Sequence, residues 1–368
     1  MRLCVKEMFV LDSHFDTTLQ IDRLRDLRID NDHSQFDFPK MRAGGVDGAF
    51  FALYTSNSLT NEEARLQADR LLDGVFATLE ANEDIAALAL SPSKALENQK
   101  NGLLSIFLGM ENGSPICGSL NLLRDYYRRG VRYMTLTHAG NNDICDSCAT
   151  SEKRWHGLSP FGREVVKEMN RLGMIIDVSH ISDESFYDVI EVSSVPVVAT
   201  HSCCRALANH PRNMSDEMLK TLASAGGVIQ INFYPVFLDS DFAATLDESG
   251  ICDWGDKVED EFKKNPANPV LRKNWYDVLD KLNSLKRPSF RKIVDHIDYA
   301  VKLIGIDHVG LGSDFDGIAV TPSGMEDVSK FNLIFDEMRS RGYSESDISK
   351  VAGGNFLRVF DEIIRYSR

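Results

Sequence analysis

Short apolar runs rich in β-branched and aromatic residues recur along the chain at 8–14, 48–55, 103–110, 131–138, 173–180, 196–201, 227–234 and 308–313. Between them lie segments whose apolar residues fall three and four apart, such as 61–79, 160–172, 183–192, 216–225 and 290–303. The first pattern predicts strands and the second amphipathic helices. Gly173-Met-Ile-Ile-Asp-Val178 and Pro196-Val-Val-Ala199 are apolar at nearly every position, as strands buried on both faces should be. Strands alternating with helices predict a parallel sheet, and eight such units predict a (β/α)8 TIM barrel. An open doubly wound sheet is the structural alternative. Its usual Gly-rich phosphate turn after the first strand is missing.

Residues 235–288 break the repeat. They are polar and charged, with Trp254 and Trp275, and predict a helical insertion between the seventh and eighth barrel strands. Such an insertion either caps the active end of a barrel or makes a subunit contact. The 368 residues are otherwise accounted for by a single barrel domain, 1–368, although length alone would allow two or three domains.

Polar residues collect at the predicted strand ends. The first strand ends in Asp12-Ser-His14-Phe-Asp16, the third in Glu111, the fourth in His138, the fifth in His180, the sixth in His201 and the eighth in Asp314-Phe-Asp316. The C-terminal edge of a barrel is where active sites form. Two residues apart at a strand end, His14 and Asp16 can face one ion from the same side. Imidazole and carboxylate suit zinc and other first-row divalent metals. Glu111 offers two oxygens and can bridge two ions about 3.5–4 Å apart. The expected grouping is His14, Asp16 and Glu111 on one ion, with Glu111, His180 and His201 on the other. Three protein ligands per ion leave a position open for water. Asp314 and Asp316 compete for the role of proton shuttle. His138 could hydrogen-bond a polarised carbonyl oxygen, and the Arg212 fork could clamp a substrate carboxylate. Ser215, before Asp216 and Glu217, predicts a helix N-cap.

Charge narrows the partners. Lys and Arg total 41 against 55 Asp and Glu, a net charge of −14, which disfavours a nucleic-acid partner. No apolar run reaches membrane-spanning length. The first ten residues lack a secretory apolar core and the last seven lack a lipidation motif, so a cytoplasmic location is expected. The seven cysteines are scattered and odd in number, which predicts reduced thiols. Cys145-Asp-Ser-Cys148 stands alone and predicts incidental thiols ahead of a redox or metal site.

An ordered series of motifs resembles the membrane (renal) dipeptidase family, metallopeptidase family M19, of the metal-dependent amidohydrolase type. The series is D-S-H-F-D at 12–16, G-M-E-N-G at 109–113, R-Y-M-T-L-T-H at 132–138 and G-L-S-P-F-G at 157–162. It continues with N-R-L-G-M-I-I-D-V-S-H at 170–180, T-H-S at 200–202, R-N at 212–213, N-F-Y at 232–234, G-S-D-F-D-G at 312–317 and E-D-V-S-K at 326–330. The resemblance implies zinc ligands at His14, Asp16, Glu111, His180 and His201, with the glutamate bridging. It implies Asp314 as the catalytic acid/base, and His138 and Arg212 as substrate-binding residues, with Tyr234 lining the pocket. The implied activity is hydrolysis of dipeptides, some with a D-residue at the C-terminal position, by a homodimer holding two divalent ions. Against mammalian members the chain is expected to lack a leader and an anchor tail, which implies a bacterial-type soluble member, and its insertion is longer. Its loop after His138 reads Ala-Gly-Asn-Asn-Asp-Ile-Cys, so no disulfide carries over there.

Two other readings compete. One is another hydrolase on this scaffold, acting on N-acyl-amino acids, lactones, β-lactams or phosphotriesters. The phosphotriester case is disfavoured because the third strand ends in Glu111 and offers no lysine to bridge metals. The other is a barrel that binds a ligand without catalysis, which the complete ligand set argues against.

Overall fold

The computed structural model describes residues 8–367. Cys4 and the rest of the N-terminal stretch up to residue 7, and Arg368 at the other end, lie outside the described residues. The strands are β1 (Leu11–Phe15), β2 (Gly48–Tyr54), β3 (Ala86–Leu88), β4 (Leu104–Glu111), β5 (Val131–Thr135), β6 (Ile175–Asp177), β7 (Val198–Ser202), β8 (Val228–Ile231) and β9 (Val309–Leu311). All pair in parallel, in the order β1-β2-β4-β5-β6-β7-β8-β9. The ends of this path meet where Phe15 bridges Phe315 and Asp16 N–H donates to the Phe315 carbonyl at 2.9 Å. The result is a nearly closed eight-stranded barrel, as the alternation of patterns predicts. β3 is an unforeseen ninth strand that pairs only with β4.

Helices alternate with the barrel strands and start where the sequence supplies caps. Ser159 Oγ accepts from Gly162 N–H at the start of Pro160–Leu172, and Gly173 ends that helix at φ +76°. Ser215 caps Asp216–Ser224 in the same way, accepting from Met218 N–H.

The barrel interior is layered along its axis. Alternation along each strand points every second residue inward. At the N-terminal end Leu11, Phe50, Phe107, Tyr133, Ile175, Val198 and Val228 fill the interior. The C-terminal helix Asn355–Tyr366 plugs that end with Phe356, Phe360 and Ile363. Phe50 stacks on Phe107 at 4.6 Å and meets Phe356 at 5.2 Å. Each fully buried ring of this kind contributes about 1.5–3 kcal/mol. Two residues further along the strands, the inward positions become Gly109, Thr135, Asp177 and Thr200, small or polar throughout. The functional end of the barrel sits on this polar floor.

The insertion is helical, with segments Pro235–Leu238, Ser240–Ser249, Ile251–Lys264 and Pro269–Ser284. It has an apolar cluster of its own in Phe242, Leu246, Val278 and Leu282. An ion pair, Arg23 to Glu259 at 2.8 Å, ties it to the loop after β1. So does the His33 ring, stacked on Tyr276 with centroids 4.1 Å apart.

Candidate metal centre

Every predicted chemical residue lies at the C-terminal end of the strands. His14 is in β1 with Asp16 one residue past it. Glu111 ends β4, and His201 is in β7. His138, His180 and Asp314 each sit three residues past their strands, β5, β6 and β9. His180 and Asp314 adopt φ of +69° and +68°. Non-glycine residues are seldom held in that region except where a site demands it.

The side chains converge on Glu111. Its Oε2 lies 3.6 Å from His14 Nε2, which is in turn 3.6 Å from Asp16 Oδ2. Its Oε1 lies 3.1 Å from His180 Nε2 and 3.3 Å from His201 Nε2. His138 Nε2 is further out, 3.9 Å from Oε1. Three overlapping triads have ligand atoms close enough to share an ion: His14–Glu111–His201, Glu111–His138–His180 and His14–Asp16–Asp314. His14 Nε2 and Asp16 Oδ1 are buried without a hydrogen-bond partner. Orphaned buried polar atoms of this kind are costly unless something binds them. Three imidazoles, two carboxylates and two unsatisfied buried atoms fit a divalent cation centre.

The electrostatics agree. Burial holds His180 and His201 well below the usual imidazole value, so both are neutral and can lend a lone pair. Burial also acts to lower His14, but the Glu111 and Asp16 carboxylates more than reverse it and hold His14 well above. Burial pushes Asp16 up to about 8, with the Glu111 charge adding to it. Three crowded acidic groups, Asp16, Glu111 and Asp314, facing neutral His180 and His201 are the arrangement expected where cations balance the charge, and a cation would take the place of the proton that the carboxylates draw to His14.

The layer beneath the centre was not foreseen as functional. Tyr133 Oη contacts His14 Nδ1 at 2.8 Å. It can do so because position 109 is glycine, where a Cβ would stand 2.0 Å from Tyr133 Cζ. Thr200 Oγ1 contacts His201 Nδ1 at 2.8 Å. Asn232 Nδ2 donates to Asp314 Oδ2 at 2.9 Å. Tyr133, Thr200 and Asn232 all stand in the motifs quoted above, but only the fold pairs each with its target.

The two competing aspartates part company. Asp316 is engaged on both oxygens, by Arg25 at 2.8 Å and Thr17 Oγ1 at 2.8 Å. Among the described residues, Asp314 has only Asn232 hydrogen-bonded to its side chain. Gly317 lets the same turn close on Asp16 and Asp314, since a Cβ there would meet Asp16 Oδ2 at 2.0 Å. Arg212 is buried behind the centre. It donates to the His201 carbonyl and to Ser202 Oγ, each at 2.6 Å, and its Nε is unpartnered.

A cavity of about 740 Å³ opens onto the centre. Asp16, Glu111, His138, His180, Asp314 and Tyr234 line its inner end, and the insertion helices form its outer wall through residues such as Leu246, Glu259 and Trp275. His138 is the most exposed of the four rim histidines, at 22% of its side chain. Cys145 and Cys148 are free thiols, both pushed up by burial.

The whole chain, residues 1–368, matches the sequence profile of membrane dipeptidases, peptidase family M19. This chain belongs to that family. Dipeptidase verJ of Clonostachys rogersoniana is 32% identical over 356 residues, covering 94% of this chain and 79% of that protein. Dipeptidase aclJ of Aspergillus oryzae is 33% identical over 344 residues, covering 91% and 72%. Among solved structures, the probable dipeptidase PvdM of Pseudomonas aeruginosa superposes with a TM-score of 0.81 at 29% identity, covering 98% of this chain and 96% of that one. A Rhodobacter sphaeroides metallopeptidase shares the fold, with a TM-score of 0.79 at 23% identity over 97% and 99% of the two chains. As an M19 member the chain is a metallo-dipeptidase, a hydrolase of peptide bonds. No helix among its described residues is long and apolar enough to cross a membrane.

Proposed function

We propose that this M19 dipeptidase uses two divalent cations, zinc by ligand chemistry, bridged by Glu111. His14 and Asp16 complete one position, and His180 and His201 the other. The observation that carries this reading is the division of Glu111, with Oε2 turned to His14 and Oε1 turned to His180 and His201. Bound there, the cations would supply Lewis-acid activation of water and of the scissile carbonyl.

The protein's own groups do the rest. Asn232 holds one oxygen of Asp314 and leaves Oδ1 to take a proton from the attacking water and return it to the departing amine. Burial raises the Asp314 carboxyl, which favours its protonated form midway through the cycle. His138, kept neutral by burial, faces the cavity and donates to the carbonyl oxygen as charge develops. Arg212, held by the His201 carbonyl and Ser202 Oγ just behind the cavity, directs its positive charge toward the substrate's free carboxylate. Tyr234 forms part of the side-chain pocket. The insertion closes the outer wall and keeps bulk water from the reaction. The expected assembly is a homodimer, and light scattering at the mass of one chain would contradict it.

The solved Rhodobacter sphaeroides metallopeptidase holds a phosphinate mimic of the dipeptide L-Ala-D-Ala, which supports including D-residues among the substrates. The test is a panel of L-L and L-D dipeptides, N-acyl-amino acids and a lactone, before and after chelation and zinc restoration. Cleavage of dipeptides that stops with chelation and returns with zinc is the expected outcome. Cleavage of only the N-acyl or lactone substrates would move the function to another amide or ester.

A further inference from the structure

Asp177 ends β6 and is fully buried. Its carboxylate is surrounded by donors. Ser179 N–H and Thr200 N–H each reach Oδ1 at 2.9 Å. Thr135 Oγ1 reaches Oδ2 at 2.6 Å and Thr200 Oγ1 reaches it at 2.7 Å. Four donors fill the lone-pair positions of an ionised carboxylate and leave none for a proton. Such a group only accepts, so the Thr200 hydroxyl proton lies on the Asp177 side.

A hydroxyl has one proton to give. The other neighbour of Thr200 Oγ1 is His201 Nδ1, at 2.8 Å. There the hydroxyl must accept and the imidazole must donate. His201 therefore carries its proton on Nδ1, and the neutral ring keeps its lone pair on Nε2. That nitrogen faces Glu111 Oε1 at 3.3 Å and His180 Nε2 at 2.9 Å, and His180 donates to it while no cation is present. The parallel pairing of Asp177 with Val198 puts Thr200, two residues on, on the face where this relay can form.

We infer that Asp177 and Thr200 are positioning residues that set the tautomer of His201, so that its Nε2 lone pair is presented to the cation beside Glu111. The inference rests on His201 holding a cation, as proposed above, but the tautomer follows from bonds within the protein alone. Asp177→Asn reverses the relay. The two backbone N–H groups keep the amide oxygen on their side, so the amide nitrogen faces Thr200 and donates to it. The Thr200 proton then turns to His201 Nδ1, and the ring proton moves to Nε2, where it blocks the cation.

Long-range 1H–15N correlation spectra of metal-free enzyme read the tautomer, with His201 assigned by its loss in His201→Gln. Chelator competition reads zinc affinity on the same samples. Wild type should be protonated at Nδ1. Asp177→Asn should be protonated at Nε2 and bind zinc on the order of 10–100-fold more weakly. Thr200→Val should lose about tenfold in affinity, and Thr200→Ser should stay within about threefold of wild type. A wild-type ring protonated at Nε2 overturns the inference. So does an Asp177→Asn protein with unchanged tautomer and affinity. If Asp177→Asn fails to fold, equal zinc affinity in Thr200→Val and Thr200→Ser overturns it instead. Wild type with the stated tautomer but no dipeptide cleavage would count against the proposed function alone and support the relay.

Discussion

Replacing Asp314 by asparagine should remove one proton site and little else. Position 314 sits at φ +68°, a conformation that asparagine tolerates and most residues do not. Asn232 Nδ2 donates to Asp314 Oδ2 at 2.9 Å, and an asparagine oxygen can accept the same bond. The backbone N–H of 314 still reaches the His14 carbonyl at 3.1 Å. Stability should therefore change by less than about 1 kcal/mol. Loss of a positioned acid/base costs on the order of 10²–10⁴ in kcat, or about 3–5 kcal/mol of barrier at roughly 1.36 kcal/mol per decade. Asp314→Ala should lose the same activity and also about 1–2 kcal/mol of stability, because alanine strains at that φ. Steady-state kinetics on the best dipeptide, with metal content and Tm from the same preparations, separates these effects. An Asp314→Asn enzyme with full metal and kcat within tenfold of wild type would refute the proton role. One that loses metal would show Asp314 acting as a ligand, through its triad with His14 and Asp16.

Other consequences follow from single contacts. Gly109→Ala puts a methyl 2.0 Å from Tyr133 Cζ, so the ring must shift away from His14; overpacking of about 1–3 kcal/mol should lower Tm and weaken metal retention, and a variant unchanged in both would contradict the packing account. Arg212→Gln removes the positive charge while keeping a donor for the His201 carbonyl, so KM for dipeptides should rise on the order of 10–100-fold, matching about 1.5–3 kcal/mol for an interaction with a charged group; equal losses on a dipeptide capped as its C-terminal N-methylamide would show that Arg212 does not act on the carboxylate. His296 is buried, accepting from Cys204 N–H and contacting the Leu238 carbonyl at 3.1 Å, and burial lowers it to about 4. Its folded-state value lies below the unfolded one, so the stability it contributes is complete above about pH 6.5. That stability is lost as pH falls towards 4, up to about 3 kcal/mol. The gap in urea stability between wild type and His296→Gln should narrow over that range, and a pH-independent gap would contradict it.

The barrel was legible because its strands carry near-continuous apolar runs and its helices carry caps. Pro160–Leu172 and Asp183–Val192 match the sequence-based bounds residue for residue, fixed by Ser159 and Ser182 as N-caps. Strand ends were less legible. β5 stops at Thr135 and β6 at Asp177, because the following residues leave the ladder to deliver His138 and His180 to the rim. β3 was missed because three residues, Ala86–Leu88, pair on one side only. Histidines and acids at strand ends announced the centre. The residues that orient them did not announce themselves. Tyr133, Thr200 and Asp177 read as ordinary strand residues, and their role depends on which neighbours the parallel register places beside them.

Two cations sharing Glu111 can be located by anomalous diffraction at the zinc absorption edge, on crystals grown with zinc. The expected map has two peaks about 3.5–4 Å apart, one within bonding distance of His14 and Asp16 and the other of His180 and His201, with one Glu111 oxygen on each. A single peak, or two peaks that do not share Glu111, would contradict the binuclear centre.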